Sequence, residues 1–206
     1  MRSGRDRAYE FLRNTVLSDP AQQGSFISEQ DIADRIGVSR TPIREALLML
    51  AAEDLVRLVP KKGAYIAPVS GREIAELMEL RGVIERHAAE RAIGSPVVAA
   101  MRKTLARQGL LMSEGDEGEF IELDHEFHSA LVAATGNELM ARMYEGLRAR
   151  QIRCGVTALV RAPGRQKAVL DEHEAIVSAL EAGDVEAAAA AITHHLETTR
   201  DILLTS

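Results

Sequence analysis

Asp124 and His128 stand four residues apart, so on a helix they share one face. His173 and His195 follow on two later helical segments, 22 residues apart. Neighbouring helices of a bundle bring such side chains to one point, which is how bundles build metal sites. One carboxylate and three neutral imidazoles suit a borderline divalent ion such as zinc or nickel. The same four residues would also serve as hydrogen-bonded polar packing inside a core, and spacing alone leaves both readings open. His87, His125 and His194 read as surface residues; His194 sits about 100° around the helix from His195. A second group of residues has a different chemistry. Arg40, Thr41 and Arg44 lie on one side of a short helix, opposite Ile43, Ala46, Leu47 and Leu50. Arginine reaches guanine O6 and N7 bidentately, while hydroxyls and helix N-terminal amides reach phosphates. Lys61-Lys62-Gly63 adds a basic hairpin tip able to meet a DNA backbone or minor groove.

The first 70 residues predict three helices and a hairpin. Ala8, Leu12 and Val16 recur every four residues on a helix that stops near Asp19-Pro20. Ser28-Glu29-Gln30-Asp31 resembles a capping box opening the second helix, and Gly37 ends it. Ser39 is placed to cap the third. Ala33, Gly37 and Ile43 have helix-turn-helix spacing: a small residue for close approach, a glycine for the turn, an apolar anchor. Strand-like runs at Leu55–Val59 and Ala64–Ala67 flank Pro60-Lys61-Lys62-Gly63. Beyond Pro68-Val69-Ser70-Gly71 the pattern is purely helical, in six segments: 72–93, 96–113, 117–135, 137–160, 165–182 and 184–204. Arg81 falls among apolar residues on the first of these, which calls for a partner.

Composition narrows the class. Of 206 residues 46% are apolar, 27% charged and only 3% aromatic, favouring Ala/Leu-rich helices over sheet sandwiches. The single cysteine, Cys154, allows neither an internal disulfide nor a Cys-rich zinc site. No apolar run approaches the ~20 residues needed to span a bilayer, and no apolar segment follows the N-terminal charges, so a cytoplasmic location is expected. The net charge of −6 divides unevenly: +1 over residues 1–70 and −7 over 71–206. Local basic patches, not the total, decide whether DNA can dock.

The run Gly37-Val38-Ser39-Arg40-Thr41-Pro42-Ile43-Arg44-Glu45-Ala46-Leu47, with Leu55-Val56 and Pro60-x-x-Gly63 after it, resembles the winged-helix signature of GntR-type transcription regulators over about residues 5–69. By position this resemblance implies DNA contacts from Ser39, Arg40, Thr41 and Arg44, with Gly63 at the wing. Gln30 stands where some members place a DNA-contacting arginine, and Asp54 replaces the usual glycine after the third helix. Aspartate tolerates left-handed geometry better than most residues. The stretch Glu79-Leu80-Arg81, then Asp124-x-x-Phe127-His128, Asn137, Glu172-His173-x-x-Ile176 and His195-Leu196, resembles the helical FCD ligand-sensing domain of the FadR branch, in its shorter VanR-like variety, over about residues 72–204. That resemblance implies metal ligation by Asp124, His128, His173 and His195, and an effector carboxylate facing Arg81.

The expectation is a mainly α chain: a winged helix-turn-helix over residues 1–69, then an antiparallel all-α bundle of about six helices over 70–206 that dimerises and binds effector. Its function is that of a metabolite-responsive bacterial regulator, a repressor on a palindromic double-stranded operator, with a divalent metal and a small carboxylic acid effector. Two other classes stay open on the residues alone. A metal-dependent enzyme would use an open metal position to activate water, but no HExxH, nucleophile motif or nearby general base is present, so no enzyme is expected. A metal-free DNA-binding protein with a helical dimerisation domain would show a filled core in place of the ligands.

Overall fold

The computed structural model describes residues 3–17, 19, 22–60, 62–113 and 117–205. The chain divides into two compact units, Met1–Val69 and Ser70–Ser206.

In the first unit, α1 (Gly4–Phe11) runs into one π-helical stretch, Leu12–Val16, and α2 (Glu29–Ile36) and α3 (Arg40–Ala52) form the helix-turn-helix. Ser28 caps α2 by accepting from the Asp31 amide, and Gly37 closes it in the left-handed region at φ 67°. Ser39 occupies the N-cap of α3 but makes no capping hydrogen bond. Ala33, Ile43, Ala46, Leu47 and Leu50 are buried between the helices, which is the apolar face read from the sequence. The wing is a three-stranded antiparallel sheet in the order β1 (Phe26–Ile27), β3 (Gly63–Tyr65), β2 (Arg57–Val59). Its third strand, β1, was not anticipated; two residues are too few for a periodic signal. Gly63 explains why β1 can sit there. Its φ is +93°, and a Cβ would lie 2.6 Å from the Ile27 carbonyl oxygen. Asp54 adopts φ 57°, the left-handed turn that the sequence places there. Pro20, Lys61 and the separator at 114–116 lie outside the described residues.

The second unit has seven helices among the described residues: α4 (Gly71–Ala92), α5 (Val97–Leu110), α6 (Glu117–Ala133), α7 (Glu138–Gly146), α8 (Arg148–Arg161), α9 (Arg165–Ala182) and α10 (Val185–Leu204). The segment read as one helix over 137–160 is two. Gly146 weakens the helix, and the Leu147 amide bonds the Tyr144 carbonyl three residues back, breaking the i→i−4 ladder. Ser70, Asn137 and Asp184 each cap the helix that follows through a side-chain oxygen. α10 lies against α4, α8 and α9, while α6 lies against α4, α5, α7 and α8. Phe120, Phe127, Leu131, Ile176, Val177 and Ile192 fill the space between them. No helix among the described residues is long and apolar enough to cross a membrane.

Candidate metal centre and nucleic-acid interface

Where α6, α9 and α10 meet, Asp124, His128, His173 and His195 converge, with one ligand atom from each within 4.8 Å of all the others. The three histidines are buried and Asp124 is half-buried. Phe127 stacks on the His173 ring at 4.2 Å and 6°, forming an apolar floor. Truncating so buried a phenylalanine costs about 3–5 kcal/mol.

Each ring turns the same nitrogen to a polar side chain, two of them through hydrogen bonds. His195 Nδ1 donates to Glu172 Oε2 at 2.6 Å. His173 Nδ1 donates to Gln108 Oε1 at 3.1 Å, and the Gln108 amide nitrogen donates to the Phe120 carbonyl at 3.1 Å, which fixes the amide's orientation. His128 Nδ1 lies 2.8 Å from Glu85 Oε2, within ion-pair range though off the axis of a well-formed hydrogen bond. An imidazole whose Nδ1 carries the proton keeps a lone pair on Nε2. His128 Nε2 and His173 Nε2 are buried and have no hydrogen-bond partner among the described residues. Unpaired buried acceptors are costly. These two nitrogens, with a third imidazole from His195 and the Asp124 carboxylate, make the donor set of a divalent cation, and carboxylates or amides behind the histidines are the usual outer support. Two ligands on ~2.1 Å bonds lie at most about 4.2 Å apart, so the 4.8 Å spread closes by small side-chain rotations. The residues fit the ion.

Electrostatics favour the same state. Burial, then the neighbouring His195 and His128, hold the His173 pKa well below the ordinary imidazole value. Burial also lowers that of His195, partly offset by Glu172. Both rings are therefore neutral, as ligation requires. Burial opposes the Glu85 carboxylate, but Arg81 and His128 hold its pKa below the ordinary range. Glu172 is likewise held ionised against burial by His195 and Arg165.

Arg81 has the partner its position demanded. Its Nε donates to Glu85 Oε1 at 2.7 Å, and the Tyr144 hydroxyl donates to the same oxygen at 2.7 Å. Arg81 Nη2 is buried and has no hydrogen-bond partner among the described residues. Arg81 lines a small cavity of about 20 Å³ that Asp124, His195, Gln151, Cys154 and Thr199 also line. That volume holds one water-sized group. Burial pushes the Cys154 thiol up to about 11, so it lines the cavity as an inert neutral group.

One sequence reading is corrected. His125 is buried, not a surface residue. Its Nδ1 lies 2.8 Å from the Gln151 side-chain amide, and Nε2 lies 3.0 Å from the Glu145 carboxylate and 3.2 Å from the Ser129 hydroxyl. Polar partners, not solvent, satisfy it, which the helical wheel could not reveal. His87 and His194 are exposed. The sequence also gave no sign of Gln108 or Arg165. Glu85, four residues after Arg81, shares its helix side.

In the first unit, Ser39, Arg40, Thr41 and Arg44 are all exposed at the N-terminal end of α3. Arg40 pairs with Glu29 at 3.0 Å, a surface contact worth no more than about 1 kcal/mol. Arg40, Arg44, Leu58, Lys62 and Gly63 line a groove of about 710 Å³ between α3 and the wing. Lys62 rests over the Phe26 ring at 5.7 Å. Lys61 lies outside the described residues.

The comparisons with known proteins agree with this division. Residues 5–66 match the model for bacterial regulatory proteins of the gntR family, and residues 76–198 match the FCD domain. An HTH-type transcriptional regulator in an unstable DNA locus of Streptomyces ambofaciens is 32% identical over 97% of this chain and 85% of its own length. The HTH-type transcriptional repressor RspR of Escherichia coli K12 is 29% identical over 92% of this chain and 84% of its own. Among solved structures, E. coli McbR/YncC superposes with a TM-score of 0.84 at 21% identity, covering 98% of each chain, which shows the shared fold. The chain belongs to the gntR family of bacterial transcription regulators, in the group whose DNA-binding domain is joined to an FCD domain, and not to a family of enzymes.

Proposed function

We propose that this regulator is a cytoplasmic homodimeric repressor of a palindromic operator, released or retained by a small organic acid at a metal-assisted site. The observation that carries the effector half is the convergence of three buried histidines on Asp124, two held by Nδ1 hydrogen bonds and the third with Nδ1 beside Glu85. A divalent ion, zinc or nickel by the donor set, supplies a fixed positive charge beside which a carboxylate can settle. Asp124, His128, His173 and His195 hold it. Arg81, which lines the adjoining cavity and whose Nη2 has no partner among the described residues, grips the carboxylate. The 20 Å³ cavity is too small for an organic acid, so binding must spread the side chains of α4, α8 and α10 that line it. The effector thereby favours one arrangement of the helical domain over another, which is what coupling to DNA affinity requires.

The DNA half rests on α3 and the wing. Ser39, Arg40, Thr41 and Arg44 contact bases and phosphates, and Lys61, Lys62 and Gly63 meet the backbone beside them. One helix reads only a few base pairs, so two-fold pairing supplies the specificity. RspR is named a repressor, which supports the sign of regulation. Fluorescence anisotropy on operator DNA tests the whole reading. Arg44→Ala should cost about 1–3 kcal/mol, and Arg81→Ala should leave operator affinity intact while abolishing its response to acids. An Arg81→Ala protein that still responds refutes the effector assignment.

A further inference from the structure

The outer face of α3 carries an apolar residue that contacts to phosphate and guanine leave unused. At about 100° per residue, Leu48 lies about 20° from Thr41 and 40° from Arg44, but about 140° from the buried Ile43. It therefore continues the line of side chains that faces away from the helical core, one turn beyond Arg44. Its exposure is 53%, whereas the adjacent Leu47 is buried. Single exposed leucines are ordinary, but Leu48 is not alone. It lines the groove of about 710 Å³ between α3 and the wing, and Leu58 of β2, 45% exposed, lines the same groove. The charged residues along that groove are three cations, Arg40, Arg44 and Lys62, and one carboxylate, Glu29. A basic groove with an apolar stripe suits a polyanion that also presents apolar groups. In the major groove of DNA one base does so: thymine, whose C5-methyl projects beside its O4 acceptor.

We infer that Leu48 packs on a thymine methyl and is a specificity-determining residue of the operator contact. The inference rests on the reading of α3 as the DNA-contacting helix and deepens it. Leu48 stands four residues, or about 6 Å, along the helix axis from Arg44. Stacked bases are about 3.4 Å apart, so the thymine lies within about two base pairs of the base that Arg44 reads. Cytosine offers only its N4 donor in the same place, which leaves Leu48 against a polar edge with no apolar partner.

The test uses the full chain and a duplex that it selects from a random-sequence pool. Each thymine of that duplex is replaced in turn by deoxyuridine, which keeps every hydrogen-bonding group and removes only the methyl. In the wild type one replacement should weaken binding about three- to fivefold, the worth of one methyl returned to water. It should fall within about two base pairs of the position whose base preference Arg44→Ala relaxes. Leu48→Ala should bind the thymine and deoxyuridine duplexes equally at that position. Leu48→Gln, which keeps the length of the side chain but not its apolar end, should do the same. Met49→Ala is the control: Met49 is the next residue and is also exposed, but it lies about 100° around the helix and does not line the groove. Its thymine-to-deoxyuridine ratio should match wild type. A wild type indifferent to every methyl, or a methyl effect that survives both Leu48 substitutions, overturns this inference and leaves α3 as the DNA-contacting helix. If the pool yields no enriched duplex, or Arg44→Ala binds the selected one as wild type does, the reading of α3 fails, and this inference with it.

Discussion

Glu172→Gln separates the roles of one carboxylate that the site uses twice. Glu172 accepts from His195 Nδ1 at 2.6 Å and takes both terminal nitrogens of Arg165, at 2.5 and 2.8 Å. The side chains of Arg165 and Glu172 are only 2% and 9% exposed. Removing one partner of a buried ion pair costs roughly 3–5 kcal/mol. Glutamine still offers one acceptor oxygen, and Arg165 keeps its contact with Thr199 at 2.9 Å, so the loss should fall near 3 kcal/mol. The effect on the metal is separate. An outer-shell carboxylate behind a ligating histidine is worth about 10–100-fold in metal affinity, or roughly 1.4–2.7 kcal/mol. Urea melts of the metal-free protein read the first quantity, and competition against a graded chelator reads the second. Glu174→Gln is the control: it makes the same charge change two residues along the same helix, at an exposed pair with Arg102, and should alter neither. A Glu172→Gln protein whose chelator midpoint matches wild type would refute the claim that Glu172 prepares His195 for an ion.

His173 and His195 have folded pKa values below the ordinary ~6.5, so the unfolded chain takes up protons first; stability of the metal-free protein should be full above about pH 6.5 and fall as pH drops below it. Urea melts between pH 7.5 and 5.5 check this, since the window stays above ordinary carboxylate titration, and a flat profile contradicts it. Gly63→Ala should cost at least about 1–2 kcal/mol in the first unit for the left-handed backbone alone, with more from the 2.6 Å approach to Ile27. Operator affinity should fall while metal content is unchanged; an unaltered operator titration would show that the wing tolerates a Cβ.

The helix-turn-helix and the Asp124–His128 pair were legible because each follows a short-range rule, whereas His173 and His195, on separate helices, were placed beside them by the family resemblance. Ala33, Gly37 and Ile43 obey the spacing of one tight turn, and Asp124 and His128 obey the i, i+4 rule of one helix face. The residues that prepare the site obey no such rule. Gln108 reaches His173 from 65 positions away, and Tyr144 reaches Glu85 from 59. Such pairings depend on how helices cross, which periodicity does not encode. His125 misled for a related reason: a polar residue facing polar residues of α7 and α8 has the same local pattern as one facing water. The break at Leu147 was hidden because Gly146 is tolerated within a helical pattern and becomes a boundary only when tertiary packing bends the chain there.

Metal stoichiometry of the purified full chain tests the central claim most directly, with wild type, His194→Ala and His195→Ala measured side by side by elemental analysis. The two substitutions are adjacent in sequence, but His195 is buried in the cluster and His194 is exposed. The account predicts one divalent ion per chain in wild type and His194→Ala, and a large loss in His195→Ala. Equal metal content in all three proteins, or none in any, would contradict it and leave the cluster as polar packing.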